Sequence, residues 1–285
     1  MQSPIKTNKF NETAVTDIEG IQNAILEHVA ASPARLTPQH LEKTILETYG
    51  LEKSRARAVL KDLVARGELE YTYEFGSTYL VRSFNKPVRI SAHVVVMPPG
   101  HRYRPVPGDV VIQIKPGAAF GGGRHATTRL SVRALEYVLK VAGPQRLRQQ
   151  GSVLDIGTGS CILAIAAVCL GIQKGLGIDI DPCAISEARE NIALNNLENQ
   201  IIISGRRMDS VDQAFAMVVA NLRYPSLKQF YPEISRLTQK GGWVVLSGFR
   251  THEQADLMDL YTAEHFKCIW KADELGWAAA VLKMI

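Results

Sequence analysis

Val153-Leu154-Asp155-Ile156-Gly157-Thr158-Gly159-Ser160 is an apolar run that ends in a carboxylate, turns through two glycines and opens onto Ile162–Leu170, a run of helical character. Strand, glycine turn and helix in that order bring bare backbone close to a ligand at a helix N-terminus, where unpaired N–H groups gather. A lone G-x-G says little. The setting gives it weight, as does a second apolar run ending in Gly177-Ile178-Asp179-Ile180-Asp181-Pro182, with Asp179 about 20 residues beyond Gly159. Asp181 followed by Pro182 has the form of a helix N-cap and first turn. Asp179 is then left at the strand end, where its carboxylate can accept hydrogen bonds from both hydroxyls of a ribose, and Ile180 can pack on a base.

Working outward, strands and helices alternate from about Gly117 to the C-terminus. Strands are expected at Ser152–Ile156, Gly175–Ile180, Ile201–Ile203, Phe215–Ala220, Gly242–Gly248, Lys267–Trp270 and Ala278–Lys283. Helices are expected at Thr127–Lys140, Ile162–Leu170, Cys183–Leu197, from about Ser226 to Leu237, and at His252–Ala263. Such alternation implies a mostly parallel sheet covered on both faces. The last two strands are too close for a helical crossover and must pair antiparallel. The expected fold is α/β: a Rossmann-like, mostly parallel seven-stranded sheet with an antiparallel last strand.

Upstream, Ile18, Ile21, Ile25, Leu26 and Val29 recur at helical spacing until Ser32-Pro33; Leu41, Ile45 and Tyr49 form a second stripe after Thr37-Pro38; Ala56, Val59, Leu60, Leu63 and Val64 form a third, stopped by Gly67. Two short strands near Leu69–Tyr73 and Thr78–Arg82 follow, joined through Glu74-Phe75-Gly76-Ser77. Three helices and a hairpin in this order read as a small winged helix-turn-helix, with Lys53, Arg57 and Lys61 on the outer face of its third helix. Val88–Met97 and Asp109–Lys115 read as strands of a structured connector flanking Pro98-Pro99-Gly100 and Pro105-Val106-Pro107-Gly108. The expected domains are 1–84, winged-helix-like; 85–117, connector; and 118–285, the α/β domain.

The net charge of +5 is concentrated. Residues 1–86 balance 11 basic against 11 acidic side chains, 151–285 carry 12 against 15, and 87–150 carry 10 against 2, including Arg102, Arg104, Lys115, Arg124, Arg129 and Arg133. That segment is either a solvated face or a mouth that attracts an acidic or nucleic-acid partner. The spacings of Cys161, Cys169, Cys183 and Cys268 match neither a zinc site nor a redox pair, so no metal is expected. No apolar run reaches the ~20 residues of a membrane span, and Met1–Phe10 is polar. No membrane partner and a cytoplasmic location are the expectation.

The third glycine position of a dinucleotide fingerprint is filled by Ile162, and Asp155 in front of the glycines would oppose a pyrophosphate. A carboxylate there suits a ligand with a positive amino group, such as the methionine end of S-adenosylmethionine. Val218-Val219-Ala220-Asn221-Leu222 places an asparagine at the end of the fourth strand, where its amide oxygen can meet a nucleophilic amine. Gly117-Ala118-Ala119-Phe120-Gly121-Gly122-Gly123-Arg124-His125-Ala126-Thr127-Thr128 is a glycine-rich loop that can fold over a bound cofactor.

Together with Gly241-Gly242-Trp243-Val244-Val245-Leu246-Ser247-Gly248, these motifs make residues 88–285 resemble the PrmA family of S-adenosylmethionine-dependent methyltransferases. Those enzymes methylate lysine and terminal amines of a stalk-base protein in the large ribosomal subunit. The resemblance implies that Phe120, His125 and Thr128 line the cofactor site. It further implies that Asp155, Gly157 and Gly159 hold the methionine end, Asp179 the ribose, and Asn221 the amine. His125 then stands as a proton relay or as a group that orders the loop. Gly122, Arg206 and Ala216 depart from the family pattern, and the family's substrate-recruiting N-terminal domain is replaced here. The expected activity is methylation of a protein, possibly ribosomal, on an amine nitrogen. The alternatives are a nucleic-acid methyltransferase guided by the winged helix and the 87–150 segment, and a non-catalytic DNA-binding sensor of the cofactor.

Overall fold

Side-chain caps start the first two helices. Asp17 accepts the Gly20 N–H at 2.6 Å at the head of α1 (Ile18–Ala31), and Thr37 accepts the His40 N–H at 3.1 Å at the head of α2 (Pro38–Tyr49). A third helix, α3 (Lys53–Ala65), leads into an antiparallel hairpin of β1 (Leu69–Glu74) and β2 (Ser77–Arg82). Ile21, Ile25, Leu41, Ile45, Leu63, Leu69 and Leu80 form the core of this unit. Ile18, expected in the first stripe, is 56% exposed because it is the first helical residue and reaches past the packed face. Glu42 of α2 pairs with Arg57 at 2.8 Å and with Lys53 at 3.7 Å, so two of the three expected outer-face cations of α3 are offset by a carboxylate.

This computed structural model describes residues 17–32, 34–74 and 76–285 and divides into two units between Ser83 and Phe84. Met1–Phe10, Pro33 and Phe75, on which a polar N-terminus and two turns were expected, lie outside the described residues.

The second unit begins with a three-stranded sheet. The expected single strand Val88–Met97 is broken into β3 (Val88–Arg89) and β4 (Val94–Met97), which pair antiparallel, while β5 (Val110–Gln113) pairs parallel to β4. Ser91 makes the turn by accepting the Val94 N–H at 3.1 Å. Buried Glu136 holds it by accepting the N–H groups of Ala92 and His93 at 3.1 and 2.7 Å. Glu136 ends α4 (Ala126–Glu136), which continues as π-helical turns to Ala142; the short α5 (Gln145–Gln150) that follows carried no sequence signal.

The alternation then runs β6 (Ser152–Ile156), α6 (Ile162–Cys169), β7 (Lys174–Ile178), α7 (Pro182–Leu194), β8 (Ile201–Ser204) and β9 (Phe215–Asn221). The helix expected over 226–237 is two, α8 (Tyr224–Gln229) and α9 (Tyr231–Leu237), because Pro232 forces a new first turn. After them come β10 (Thr238–Arg250), α10 (Gln254–Thr262), β11 (Phe266–Glu274) and β12 (Trp277–Met284). The sheet order is β11-β12-β10-β9-β6-β7-β8, with β12 antiparallel to both neighbours and the remaining pairs parallel.

Period-two alternation divides each central strand between two cores. Val153, Met217, Val219 and Val245 face one side with α4 and α6; Leu154, Val218, Val244 and Leu246 face the other with α8, α9 and α10. The chain leaves β6 toward β7 and β8 and later returns on its other side as β9. The crevice at the C-terminal ends of β6 and β9 is therefore the topological switch point, where sheets of this kind bind ligands. Among the described residues no helix is long and apolar enough to cross a membrane.

The β11–β12 turn is only Leu275-Gly276, with φ of 53° and 75°. Such two-residue turns favour Asn-Gly, and a leucine held at positive φ costs about 1 kcal/mol. Leu275→Asn is expected to raise the denaturant midpoint of this unit by a corresponding amount; an unchanged or lower midpoint would contradict the strain.

Candidate active site

Three turns converge at the switch point. Asp155, 1% exposed, is the next-to-last residue of β6 and directs Oδ2 to the Thr158 hydroxyl at 2.7 Å and the Ala164 N–H at 3.2 Å. Its Oδ1 is buried with no partner among the described residues. Burial is the main reason its pKa is pushed up to about 6, with the nearby Asp179 adding to the rise and the two hydrogen bonds opposing it. Thr128 Oγ1 and Ser160 Oγ are likewise buried and unpartnered. Orphaned buried polar atoms are uncommon in folded proteins and call for a ligand or water. One carboxylate oxygen and one hydroxyl left open at the glycine turn, with a second hydroxyl open on α4, suit an amino acid carrying both an ammonium and a carboxylate.

Asp179 ends β7 and accepts the Gly159 N–H at 2.9 Å through Oδ2 and the Asp181 N–H at 3.0 Å through Oδ1. Each oxygen keeps a lone pair for a further donor. Asp181 caps α7 at the Cys183 N–H, 2.9 Å, as its place before Pro182 suggests. Ile180 is 83% exposed, an apolar platform beside the Asp179 carboxylate. Gly159, at φ 54°, lies so close to the Phe120 carbonyl that any Cβ would strike that oxygen. The same carbonyl accepts the Ser160 N–H at 2.9 Å, which joins the glycine-rich loop to the β6 turn.

Phe120 is 53% exposed at the crest of that loop, and its ring meets the edge of His125 at 5.2 Å between centroids. His125 caps α4: its Nδ1 accepts the Thr127 N–H at 3.3 Å and lies 2.8 Å from the Thr127 hydroxyl. The ring proton therefore sits on Nε2. Burial first, then the charges of Arg129 and Arg250, lower the His125 pKa, so the ring is neutral. This arrangement makes His125 an organiser of the loop and a donor through Nε2. Asn221 ends β9 beside Ser247 of β10, and its half-buried side chain forms no hydrogen bond among the described residues. Gly248, at φ 95°, bulges β10 here and lets its backbone pass against the Leu222 backbone, which fixes the turn after Asn221.

Several contributors carried no motif. Thr158 and Ser160 stand in the glycine turn with no role of their own legible in the sequence. Glu187 of α7 accepts the N–H groups of Ala118 and Ala119 at 2.8 and 3.0 Å. One turn on, Asn191 accepts the Lys115 N–H at 2.9 Å and donates to the Ser160 carbonyl at 2.9 Å; Asn195 accepts the Gln113 N–H at 2.9 Å. A polar i, i+4, i+8 stripe on a helix that should turn an apolar face inward was the available signal. Trp277 packs on His125 at 4.9 Å from far along the chain, with no local cue. In the basic middle segment, Lys115 pairs with Glu190, and Arg129 and Arg133 both pair with Glu274, so much of its excess charge is matched inside the unit. Among the described residues no cluster could hold a metal ion.

Residues 80–284 match the family described as ribosomal protein L11 methyltransferase (PrmA). The ribosomal protein L11 methyltransferase of Citrifermentans bemidjiense is 36% identical over 193 residues, which are 68% of this chain and 62% of that protein. The one from Clostridium botulinum is 35% identical over 207 residues, 71% of this chain and 62% of that protein. The crystal structure of ribosomal protein L11 methylase from Lactobacillus delbrueckii subsp. bulgaricus superposes with a TM-score of 0.62 at 28% identity, covering 70% of this chain and 98% of that one. The chain thus spans 62% of the length of the curated relatives it matches.

The Asp155 carboxyl holds its proton more tightly in the folded, ligand-free protein than in the unfolded chain. Stability from this group is therefore full below about pH 4 and falls as pH rises toward about 6, by roughly 3 kcal/mol in all. Asp155→Asn can keep both accepted hydrogen bonds and removes that loss. The variant is expected to melt above the parent at about pH 8, with the gap closing toward about pH 4; a gap independent of pH would contradict the buried, unpaired carboxyl.

Proposed function

Because the chain belongs to the ribosomal protein L11 methyltransferase (PrmA) family, we propose that it transfers a methyl group from S-adenosylmethionine to an amine nitrogen of a protein. The observation that carries this reading is the glycine turn at which Asp155 Oδ1 and Ser160 Oγ are left open, tied by the Gly159–Asp179 hydrogen bond to the end of β7. S-adenosylmethionine, when bound, supplies a methyl group already activated by a sulfonium.

The protein's own part is then positioning and exclusion of water. Asp155 receives the methionine ammonium, which returns its carboxyl to the ionised form. Thr128, with the bare backbone of Gly157 and Gly159, holds the rest of the methionine end. Asp179 accepts from the ribose hydroxyls, Ile180 packs on the adenine, and Phe120 covers the site from the loop. The acceptor lysine must arrive without its proton; a dry site and nearby positive charge both lower an ammonium pKa. Asn221 orients the lone pair through its amide oxygen, and neutral His125 keeps the loop and helix in register.

We read residues 118–285 as the methyltransferase domain, 85–117 as its structured leader and 1–84 as a winged-helix-like module that recruits the acceptor. Ribosomal protein L11, which names the relatives, is the first candidate acceptor, and a cytoplasmic location goes with it. The pairing of Lys53 and Arg57 with Glu42 favours a protein over a nucleic acid as the module's partner.

The test is transfer of label from methyl-labelled cofactor into purified ribosomal protein L11 and, separately, into total ribosomal proteins. Label on lysine or a terminal amine is expected. Asn221→Ala is expected to lower kcat by about 10²-fold, more than it weakens cofactor binding. Saturable cofactor binding with no label in any ribosomal protein would overturn the acceptor assignment; transfer to RNA or DNA would replace it.

A further inference from the structure

Arg250 is the last residue of β10 and pairs in register with Trp277, the first residue of β12, just beyond the Ser247 that neighbours Asn221. Its guanidinium lies over the indole, 3.6 Å from the ring centroid. The indole in turn meets His125, and His125 meets Phe120. A row of four side chains therefore runs from the crest of the glycine-rich loop to an arginine at the rim of the crevice.

Two features set this arginine apart. A guanidinium stacked on an aromatic face keeps its N–H donors in the plane of the stack, aimed sideways and pre-organised for a planar two-oxygen acceptor. No carboxylate forms an ion pair with the Arg250 guanidinium among the described residues, the Glu253 carboxylate accepting only its backbone N–H at 2.6 Å, and the residue is exposed. Nearby Arg129, which also acts on His125, is the contrast: its donors are spent on Glu274 and on the carbonyls of Gly123 and Arg124. Arg250 is thus held in place by Trp277 with its hydrogen-bonding edge unspent, on the side of the crevice where Asn221 awaits an amine. A planar edge so placed suits a carboxylate.

Resting on the reading of the acceptor as a protein amine, we propose that Arg250 is a specificity-determining residue that receives an acidic side chain of the acceptor polypeptide. The preferred target is then a lysine with Asp or Glu within a few residues, and a lysine flanked by further cations is disfavoured.

The test uses three fluorescent peptides of one length, each with a central lysine, flanked by glutamate, glutamine or arginine. Binding is followed by anisotropy with the full-length protein saturated with S-adenosylhomocysteine, for the parent, Arg250→Lys, Arg250→Ala and Arg250→Glu. The parent is expected to favour the glutamate peptide over the glutamine peptide by about tenfold. Arg250→Ala should erase that preference, Arg250→Lys, which keeps charge without the planar fork, should retain part of it, and Arg250→Glu should favour the arginine peptide. Equal binding of the three peptides by the parent, no binding of any, or a preference that survives in Arg250→Glu overturns the proposal. So does loss of affinity for a short RNA, rather than for a peptide, on charge reversal. Calorimetric binding of S-adenosylhomocysteine by each variant separates the outcomes: retained binding confines a failure to Arg250, while a parent that binds none of it fails the functional reading itself.

Discussion

The bond from the Gly159 N–H to the Asp179 carboxylate, 2.9 Å long, is the constraint on which the crevice depends. It ties the turn after β6 to the end of β7, and the turn closes only because residue 159 lacks a Cβ that would strike the Phe120 carbonyl. That carbonyl accepts from Ser160, whose own carbonyl accepts from buried Asn191 of α7. The β6 turn, the β7 end and the glycine-rich loop are therefore tied to one another. Little of this arrangement is carried by side-chain packing. It is hydrogen bonding of backbone groups, to one another and to the Asp179 and Asn191 side chains, organised around a position that tolerates no side chain.

Around that piece the fold provides rigidity and an electrostatic imbalance. Strands buried on both faces hold Asp155, Asp179 and Asn221 at fixed spacing on one edge. Burial then withholds from Asp155 the solvation a carboxylate wants and leaves one of its oxygens unmatched. Such a group destabilises the empty protein and favours the arrival of a cation, an exchange of stability for binding that functional sites commonly make.

How much of this was legible in the sequence follows from how local each signal is. The parallel strands show as short apolar runs such as Met217–Ala220 and Val244–Leu246, and the glycine turn and both aspartates sit in order within about thirty residues, within one βαβ unit. Thr37 and Asp181 announce their helices as caps. Where a single residue redirects the chain, the pattern misled. Pro232 splits an apparently continuous helix, and Ser91 with Glu136 folds one apparent strand into two. Other contacts made across the fold left no trace: Trp277 on His125, Arg250 on Trp277. The basic segment 87–150 shows the converse, since a one-dimensional charge count cannot see Glu190 and Glu274 coming from elsewhere to meet Lys115, Arg129 and Arg133.

The most direct measurement is a crystal structure of the protein with S-adenosylhomocysteine. The ligand's ammonium is expected on Asp155 Oδ1, its ribose hydroxyls on Asp179 and its adenine over Ile180, all within the crevice roofed by Phe120. A ligand bound elsewhere, or one that leaves the Asp155 and Asp179 carboxylates untouched, would contradict that placement.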